Sequence, residues 1–307
     1  MRHCGKLPVE YAMLAQAAGK IKALSPQLKD ALARPFVATA DIMRFPRELR
    51  DLNDAEGQSR FTAYFTRSRR EIIKVQRMRY RIFSEEYGAS FSAPFGLDRD
   101  RYDRHCLHLV VKDNRSGEIV GYTRVLPGDR LHRTGGFYSS GEFDLSMLQG
   151  LEGRLAEIGR TCIHPAHRNG AVITVLWARL AQYMIENDIR YLLGCASIAL
   201  GEGYNVAGIW QRINEKHLSQ SAHRVVPHLK LEKLPGDGAQ GAVKMPPLLK
   251  AYVRMGAQIC GEPCWDPDFN CLDFFVLMDV NDLPARYVQH FLQPSHGVVG
   301  TPTAQAV

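Results

Sequence analysis

The chain has 307 residues, 45% hydrophobic and 23% charged, which is enough apolar material for one large core or two modest ones. It contains no run of eighteen apolar residues, and Met1 to Gly19 lacks a continuous apolar signal segment. We therefore expect a protein that stays in the cytoplasm. The formal net charge of +7 predicts acidic partners, but no zinc-finger or RNA-binding motif accompanies it, so we do not predict nucleic acid as a partner.

The seven cysteines are an odd number, and several stand within apolar strand patterns, which indicates reduced thiols in the core. Cys260 and Cys264 have a spacing that could begin a zinc site. No second pair with ligand spacing follows them, so we predict no metal.

The first part of the chain is basic, with nine Lys or Arg against four Asp or Glu in residues 1–50. Residues 1–58 are predicted to form a basic helical extension, with a helix over Val9 to Leu24. That helix either packs on the folded domain or makes a peripheral contact with an anionic membrane. Residues 59–292 are predicted to form one domain, and residues 293–307 a disordered tail.

Within the domain, runs of period-2 and period-3.6 hydrophobicity alternate. The predicted elements, in chain order, are strand Arg60 to Phe65, helix Arg69 to Tyr87, strand Cys106 to Lys112, strand Glu118 to Val125, strand Leu155 to Ile163, a helix from Gly170, strand Tyr191 to Ser197, strand Arg224 to Leu231, helix Pro246 to Met255 and strand Leu272 to Val280. This order predicts an α/β (α+β) domain with a mixed, mostly antiparallel sheet and helices on both faces.

The strand Leu155 to Ile163 carries two opposite charges, Glu157 and Arg160, on either side of Gly159. Strict alternation would send the two charges to opposite faces of the sheet. A bulge at Gly159 would bring both to one face and free a backbone N–H.

A basic turn follows this strand and leads into a helix that begins near Gly170. The first N–H groups of a helix are unpaired and favour anions such as phosphate. The turn residues predicted to hold a phosphate are Ile163, His167, Arg168, Asn169 and Gly170.

A charged, bulged strand followed by such a turn resembles the pantetheine-binding core of the GNAT acyltransferases, and Ile163-x-Pro165-x-x-Arg168 resembles the entry to their phosphate turn. The resemblance implies a GNAT-like fold with a central splayed and bulged strand. The usual glycine-rich continuation is reduced here to Gly170-Ala171. This favours the single phosphopantetheine phosphate of acyl carrier protein as donor over free coenzyme A, with no permanently bound cofactor.

A wider series of residues resembles the acyl-homoserine-lactone synthases, which have a GNAT-like fold and take their acyl chain from acyl carrier protein. The series, in chain order, is Arg79, Phe83, Asp100, Asp103, Arg124, Glu157 and Arg160. The tryptophan that these synthases place shortly after the Phe83 position is absent, and this chain continues well past the core.

The additional length resembles the L-ornithine N-alpha-acyltransferases of bacterial ornithine-lipid synthesis. The segments that carry this resemblance are Phe137 to Leu145, Gly194 to Ser197, Pro246 to Tyr252, Phe269-Asn270, Asp273 to Phe275 and His290-Phe291. It implies transfer of a 3-hydroxyacyl group from acyl carrier protein to the alpha-amine of ornithine, giving lyso-ornithine lipid. The alternatives are an N-acyl amino acid or homoserine-lactone synthase using another amine, and a non-enzymatic module that binds the carrier protein or a lipid surface.

For the reaction, Glu157 is the predicted proton acceptor, directly or through water, and a bulge N–H near Gly159 or Arg160 would meet the oxyanion. Arg160 is predicted to hold Glu157 ionised. The alternative is that Glu157 and Arg160 form a buried structural salt bridge. Tyr204 stands where many GNAT enzymes keep a tyrosine that protonates the thiolate.

For the acceptor, Asp100 and Asp103 suit an ammonium group and Arg124 suits a carboxylate, with Arg79 and Phe83 in the same site. The alternative is an ion network, joining Arg79 and Arg124 to the two aspartates, that anchors a loop.

For the carrier protein, the helix Arg69 to Tyr87 is predicted to turn its apolar positions to the core. That orientation leaves Arg70, Lys74 and Arg77 on an outer stripe, which we predict docks the acidic carrier protein.

Overall fold

The computed structural model describes residues 59–87, 93–151, 154–236 and 243–283. The predicted N-terminal extension, the predicted tail and residues 284–292 lie outside these ranges. The described cysteines are free thiols, five of them buried. No described helix is both long and apolar enough to cross a bilayer.

The strands are β1 (Phe61–Thr66), β2 (Leu107–Asp113), β3 (Ile119–Pro127), β4 (Phe143–Asp144), β5 (Leu155–Ile163), β6 (Tyr191–Ala199), β7 (Val226–Pro227), β8 (Gln258–Ile259), β9 (Cys264–Asp266) and β10 (Cys271–Asp279). The helices are α1 (Arg69–Tyr87), α2 (Leu131–Thr134), α3 (Ala171–Glu186), α4 (Val206–Lys216) and α5 (Pro247–Arg254).

The main sheet has the strand order β1-β2-β3-β5-β6-β10-β8, and β9 pairs with β10. The pair β5 and β6 is parallel, and the other named pairs of this sheet are antiparallel. The predicted mixed, mostly antiparallel sheet is therefore confirmed. Strands β4 and β7 form a separate two-stranded sheet.

Helices α1 and α3 cover opposite faces of the sheet. Val110 belongs to the hydrophobic cluster that contains the buried residues of α1, whereas its neighbours Leu109 and Val111 belong to the cluster that contains those of α3. This follows because successive side chains of a strand point to opposite faces of the sheet. Helix α3 lies very close to β3, because a Cβ atom on Gly121 would stand 2.5 Å from Cγ1 of Val172. Only glycine permits this approach.

Strands β5 and β6 pair over three residues and then part. The pairing joins Leu155 through Glu157 to Tyr191 through Leu193 and ends there, although both strands continue. The next residue of β6, Gly194, passes so close to β5 that a Cβ atom on it would lie 2.5 Å from the carbonyl oxygen of Ile158. The predicted splayed central strand is confirmed, and the splay begins directly after Glu157.

The bulge in β5 lies one residue later than predicted. Tyr122 pairs with Cys162 and Arg124 pairs with Gly159, so Thr123 faces both Arg160 and Thr161. The positive φ of +53° belongs to Arg160 and not to Gly159. An arginine in this conformation costs on the order of 1 kcal/mol, which contacts of its side chain must offset.

The predicted strand Arg224 to Leu231 is wrong for most of its length. Only Val226 and Pro227 pair, with Asp144 and Phe143 respectively. Proline has no N–H to extend a ladder, which limits this strand to a two-residue edge.

Candidate active site

A cavity of about 880 Å³, including its open mouth, lies where β5 and β6 part. Its walls come from β3, β5, β6, β9, β10, α5 and the turn after Phe137. Its charged lining residues are Arg124, Glu142, Glu157, Arg160, Asp266 and Asp273. Its aromatic lining residues are Phe83, Tyr102, Tyr138, Tyr252 and Phe269.

Glu157 is buried, with 5% of its surface exposed, and its carboxylate is held by the turn Tyr138–Gly141. Oε2 accepts the backbone N–H of Tyr138 at 2.7 Å, and Oε1 accepts the N–H and the hydroxyl of Ser139 at 2.8 and 2.5 Å. Burial raises the pKa of Glu157 above its usual value, and the hydrogen bonds from Ser139 and Tyr138 oppose that rise without cancelling it. A fixed carboxylate of raised proton affinity beside a cavity suits a proton acceptor.

Arg160 does not pair with Glu157, which corrects the prediction that it holds this carboxylate ionised and removes the alternative salt bridge between the two. Its Nε lies 3.3 Å from Asp98, and its Nη2 lies 3.5 Å from Asp100. The guanidinium also covers the rings of Tyr138 and Phe269, at 4.8 and 4.6 Å from their centroids. These contacts hold the side chain of Arg160, the residue whose backbone has the positive φ.

Asp100 and Asp103 are not in the cavity wall, contrary to their predicted contact with the acceptor ammonium. Nη1 of Arg124 donates to both oxygens of Asp100, at 2.7 and 2.6 Å, and to Asp103 at 2.9 Å. Burial alone would raise the pKa of Asp103, but Arg79 and Arg124 outweigh it and the pKa lies below its usual value. Both carboxylates are thus committed to arginines.

Arg79 is fully buried and does not reach the cavity, which corrects its predicted place in the acceptor site. Its Nε donates to Asp98 at 2.8 Å and its Nη1 to Asp103 at 3.0 Å. The loop-anchoring network considered from the sequence is therefore present, with Asp98 as an additional member. Phe83 and Arg124 line the cavity, and their predicted contacts with the acceptor stay a prediction.

Three carboxyl groups of the cavity wall, on Glu142, Asp266 and Asp273, were not predicted as site residues. Asp273 accepts the hydroxyl of Ser197 at 2.5 Å, and burial raises the pKa of Asp273 to about 6. Burial, and next the charge of Asp273, raise the pKa of Glu142 to about 9. Of these two neighbouring carboxyl groups, Glu142 therefore holds a proton more readily than Asp273.

Asp266, Cys271 and Asp273 place one ligand atom each within 4.8 Å of one another, and among the described residues they are the set that could converge on a metal ion. The set differs from the Cys260 and Cys264 pair considered from the sequence. Two hard carboxylates with one thiol whose pKa is raised by burial are a poor match for a structural zinc site, which favours ionised thiolates.

Comparison with known proteins identifies the family. Residues 78–178 match the acetyltransferase (GNAT) domain. The L-ornithine N(alpha)-acyltransferase of Rhodobacter capsulatus is 32% identical over 249 residues, which cover 75% of this chain and 94% of that protein. The enzyme of the same name from Brucella abortus is 30% identical over 241 residues, covering 73% of this chain and 86% of that protein. The chain belongs to the L-ornithine N(alpha)-acyltransferase family.

Solved structures include a CoA-dependent acyl-homoserine lactone synthase with SAM and isopentyl-CoA, 15% identical, with a TM-score of 0.48 over 80% of this chain and 94% of that one. An N-acyl amino acid synthase from uncultured soil microbes is 14% identical, with a TM-score of 0.40 over 72% of this chain and 92% of that one. The family and the GNAT domain make the protein an acyltransferase.

In this acyltransferase the segment predicted to hold a phosphate forms a helical turn at Pro165–His167, and Gly170 is the N-cap of α3. That it binds phosphate stays a prediction. Nε of Arg168 donates to the carbonyl of Ile163 at 3.1 Å, and the side chain of Asn169 accepts the N–H of Ala171 at 3.3 Å. Nε2 of His167 lies 3.4 Å from a carboxylate oxygen of Asp113, and the predicted contact of His167 with a phosphate stays a prediction.

Tyr204 does not line the cavity of the acyltransferase, so the structure gives it no contact with a leaving thiolate. It packs instead against the hydrophobic cluster that contains the buried residues of α3.

Arg70, Lys74 and Arg77 are exposed along α1, as the predicted stripe requires, and Lys74 makes a surface ion pair with Glu118 at 3.8 Å.

Proposed function

We propose that the protein transfers an acyl group from the thioester of acyl carrier protein to the alpha-amine of L-ornithine, giving lyso-ornithine lipid. The main support for the proposal is the charge of the cavity wall, which holds four carboxyl groups and two guanidinium groups. Both guanidinium groups already contact Asp100, which lies outside the cavity. Such a wall favours a cationic acceptor. The family relatives carry the name of this activity.

For the acceptor, we assign the distal ammonium of ornithine to Asp266 and Asp273, in place of Asp100 and Asp103. The two residues line the cavity, and neither makes an ion pair with an arginine or lysine among the described residues. Arg160 lines the same cavity, and we assign the carboxylate of the acceptor to it in place of Arg124. Its contacts with Asp98 and Asp100, at 3.3 and 3.5 Å, are longer than those of Arg124 with Asp100, at 2.7 and 2.6 Å, so its guanidinium is the less committed of the two. The alpha-amine then lies toward Glu157.

For the chemistry, the free amine attacks the thioester carbonyl, a C–N bond forms, and the C–S bond breaks. Glu157 takes the proton that the nitrogen loses. Two residues of β5, Arg160 and Thr161, face Thr123 alone. A bulge of this kind leaves a residue out of the ladder, and we assign its backbone N–H to the oxyanion.

For the donor, the turn from Ile163 to Gly170 offers the first N–H groups of α3 and the guanidinium of Arg168 to one phosphate. This turn has fewer glycines than the phosphate turn of the GNAT acyltransferases, which favours phosphopantetheine on acyl carrier protein over free coenzyme A. Acyl carrier protein is cytoplasmic, and the free thiols of the described cysteines suit that compartment, so we propose the reaction occurs there.

The direct test is to incubate the purified protein with 3-hydroxyacyl carrier protein and ornithine and to follow both free thiol and product mass. We expect thiol release that depends on ornithine and a product of the mass of N-acylornithine. Thiol release with lysine or a homoserine derivative but not with ornithine would favour the alternative amines. Carrier binding without thiol release would show the non-enzymatic module.

We expect Asp273→Asn to raise the KM for ornithine about 10- to 100-fold, because an ammonium loses a charged partner in a buried wall. The KM for 2-aminopentanoate, which has the alpha-amine but no distal ammonium, should hardly change, whatever the substitution does to kcat through the neighbouring Glu142. Asp268→Asn, an exposed neighbour in the chain, is the matched control. Equal rises in KM for both acceptors would contradict the assignment of the ammonium to this carboxylate.

Reversing Arg70, Lys74 and Arg77 to glutamate should lower kcat/KM for the carrier protein at least about tenfold, with no change in the KM for ornithine. The wild-type value should also fall with salt, because exposed charges are screened over about 10 Å at roughly 0.1 M. Lys216, Lys250 and Arg254 are exposed elsewhere, and reversing these three gives a control with the same change in charge. Equal behaviour of the two triple variants would place the docking surface elsewhere.

A further inference from the structure

We infer that Glu142 is the general acid that protonates the leaving thiolate, and that Ser139 and Cys195 join it to Glu157 as a proton relay. The inference rests on the acyl transfer proposed above. It assigns a role that neither Tyr204 nor the sequence pattern supplies.

The relay is a continuous chain of contacts. The hydroxyl of Ser139 lies 2.5 Å from Oε1 of Glu157 and 3.4 Å from Sγ of Cys195. The thiol of Cys195 in turn donates to Oε2 of Glu142 at 3.2 Å. A single path of hydrogen-bonding atoms therefore connects the proposed base to a second carboxyl group.

All four residues line the active-site cavity, so both ends of the relay can face bound substrates. Ser139 is 1% exposed, which keeps bulk water from replacing it as the link. A buried path of this kind fixes where the proton travels.

The proposed roles require Glu142 to be protonated and Glu157 to be ionised before the reaction, so Glu142 must have the higher proton affinity. Burial, and next the charge of Asp273, keep Glu142 protonated at neutral pH, with a pKa of about 9. Burial and then Glu142 raise the pKa of the Cys195 thiol well above its usual value, so it stays neutral. Glu157 has a raised pKa as well, but three hydrogen bonds to its oxygens favour its ionised form.

Other charged groups face the relay from the surrounding elements. Arg124 on β3 acts on Glu157, whereas Asp273 on β10 and Asp266 on β9 act on Glu142. Arg160 faces the ring of Tyr138, next to Ser139 in the chain. Arg124 thus acts on the base, and Asp266 and Asp273 act on the acid, which favours an ionised Glu157 and a protonated Glu142. Arg160 also acts on Asp273, whose pKa it lowers.

The steps balance. As the tetrahedral intermediate collapses, the nitrogen proton passes to Glu157 and the proton of Glu142 passes to the sulfur as the C–S bond breaks. The proton on Glu157 then moves to Ser139, the Ser139 proton to Cys195, and the Cys195 proton to Glu142. Amide and free thiol are the products, and both carboxyl groups return to their starting states.

The test is the dependence on the leaving group. With an alkyl thioester of pantetheine, Glu142→Gln should lower kcat about 100-fold, whereas with an aryl thioester, whose thiolate leaves without a proton, the loss should be under about threefold. Glu157→Gln should be slow with both donors. Loss of equal size for Glu142→Gln with both donors would overturn the role of Glu142 as acid.

The links are tested by Cys195→Ala and Cys195→Ser. The alanine variant should lower kcat about tenfold without changing the KM for ornithine, and the serine variant, which retains an exchangeable proton, should recover most of that loss. Ser139→Ala should resemble Cys195→Ala. Equal activity of the alanine and serine variants would overturn the relay, while a wild-type enzyme that acylates no ornithine would instead refute the proposed function.

Discussion

Replacing Glu157 by glutamine should lower kcat for ornithine acylation by about 10²- to 10⁴-fold, the usual contribution of a positioned proton acceptor. The amide is close in shape to the carboxylate but cannot take the proton of the attacking amine. The measurement is single-turnover thiol release from acyl carrier protein across pH 6 to 9. The wild-type rate should rise with pH as both Glu157 and the acceptor amine lose their protons, and the variant should keep only the part of the rise that comes from the amine.

The structure also predicts that this variant is less stable than the wild type. Every protein group that bonds the carboxylate is a donor, namely the two N–H groups and the hydroxyl supplied by Tyr138 and Ser139. A glutamine must turn its NH₂ toward one of them, which costs about 1–3 kcal/mol. Thermal unfolding should therefore accompany the kinetics, with Glu118→Gln, an exposed position, as control. Near-normal turnover by a folded Glu157→Gln protein would exclude Glu157 as the base.

Replacing Arg79 by methionine should lower the free energy of unfolding by about 3–5 kcal/mol, the usual cost of removing one partner from a buried ion network. The substitution leaves Asp98 and Asp103 buried with one cation fewer. Urea unfolding followed by tryptophan fluorescence measures the change. The same change at Arg77, exposed two residues earlier on α1, should have little effect.

A second substitution separates charge from packing at this position. Adding Asp98→Asn to Arg79→Met removes one of the two carboxylates that lost a cation, and Arg160, which also contacts Asp98, retains Asp100, so the double variant should be more stable than the single one. A double variant less stable than Arg79→Met would mean that Arg79 acts mainly by filling space, and the predicted electrostatic cause would be wrong.

The elements around the site were predictable because their patterns are local. The bounds of α1 and β5 agree with the prediction, since both have hydrophobic periodicity over many residues. The bulge was displaced because glycine is the residue that usually takes a positive φ, whereas here Arg160 takes it and is held by Asp98, Tyr138 and Phe269. Asp98, Tyr138 and Phe269 lie in other segments of the chain, and their contacts with Arg160 override the local preference for glycine at a positive φ.

The acidic wall could not be predicted for the same reason. Glu142 follows a short turn, Asp266 ends β9 and Asp273 lies within β10, and only the fold brings them to one cavity. Conversely, Asp100 and Asp103 have a spacing that suggests a cation site, but the sequence does not reveal that Arg124 already occupies them. For the network of Arg79, Arg124 and the two aspartates, the charge pattern predicted which residues interact, but not which of them remain available to a substrate. For Glu157 and Arg160 it predicted an interaction that the structure does not have.

Gly194 passes so close to Ile158 that the size of residue 194 affects how β5 and β6 separate. Any side chain at residue 194 would press against the carbonyl oxygen of Ile158, at the point where the strands separate. Relief of that pressure requires β6 to move away from β5, so the volume of this residue sets the width of the cleft. The width of the cleft between β5 and β6 thus depends on a residue that carries no functional group and takes no part in the chemistry.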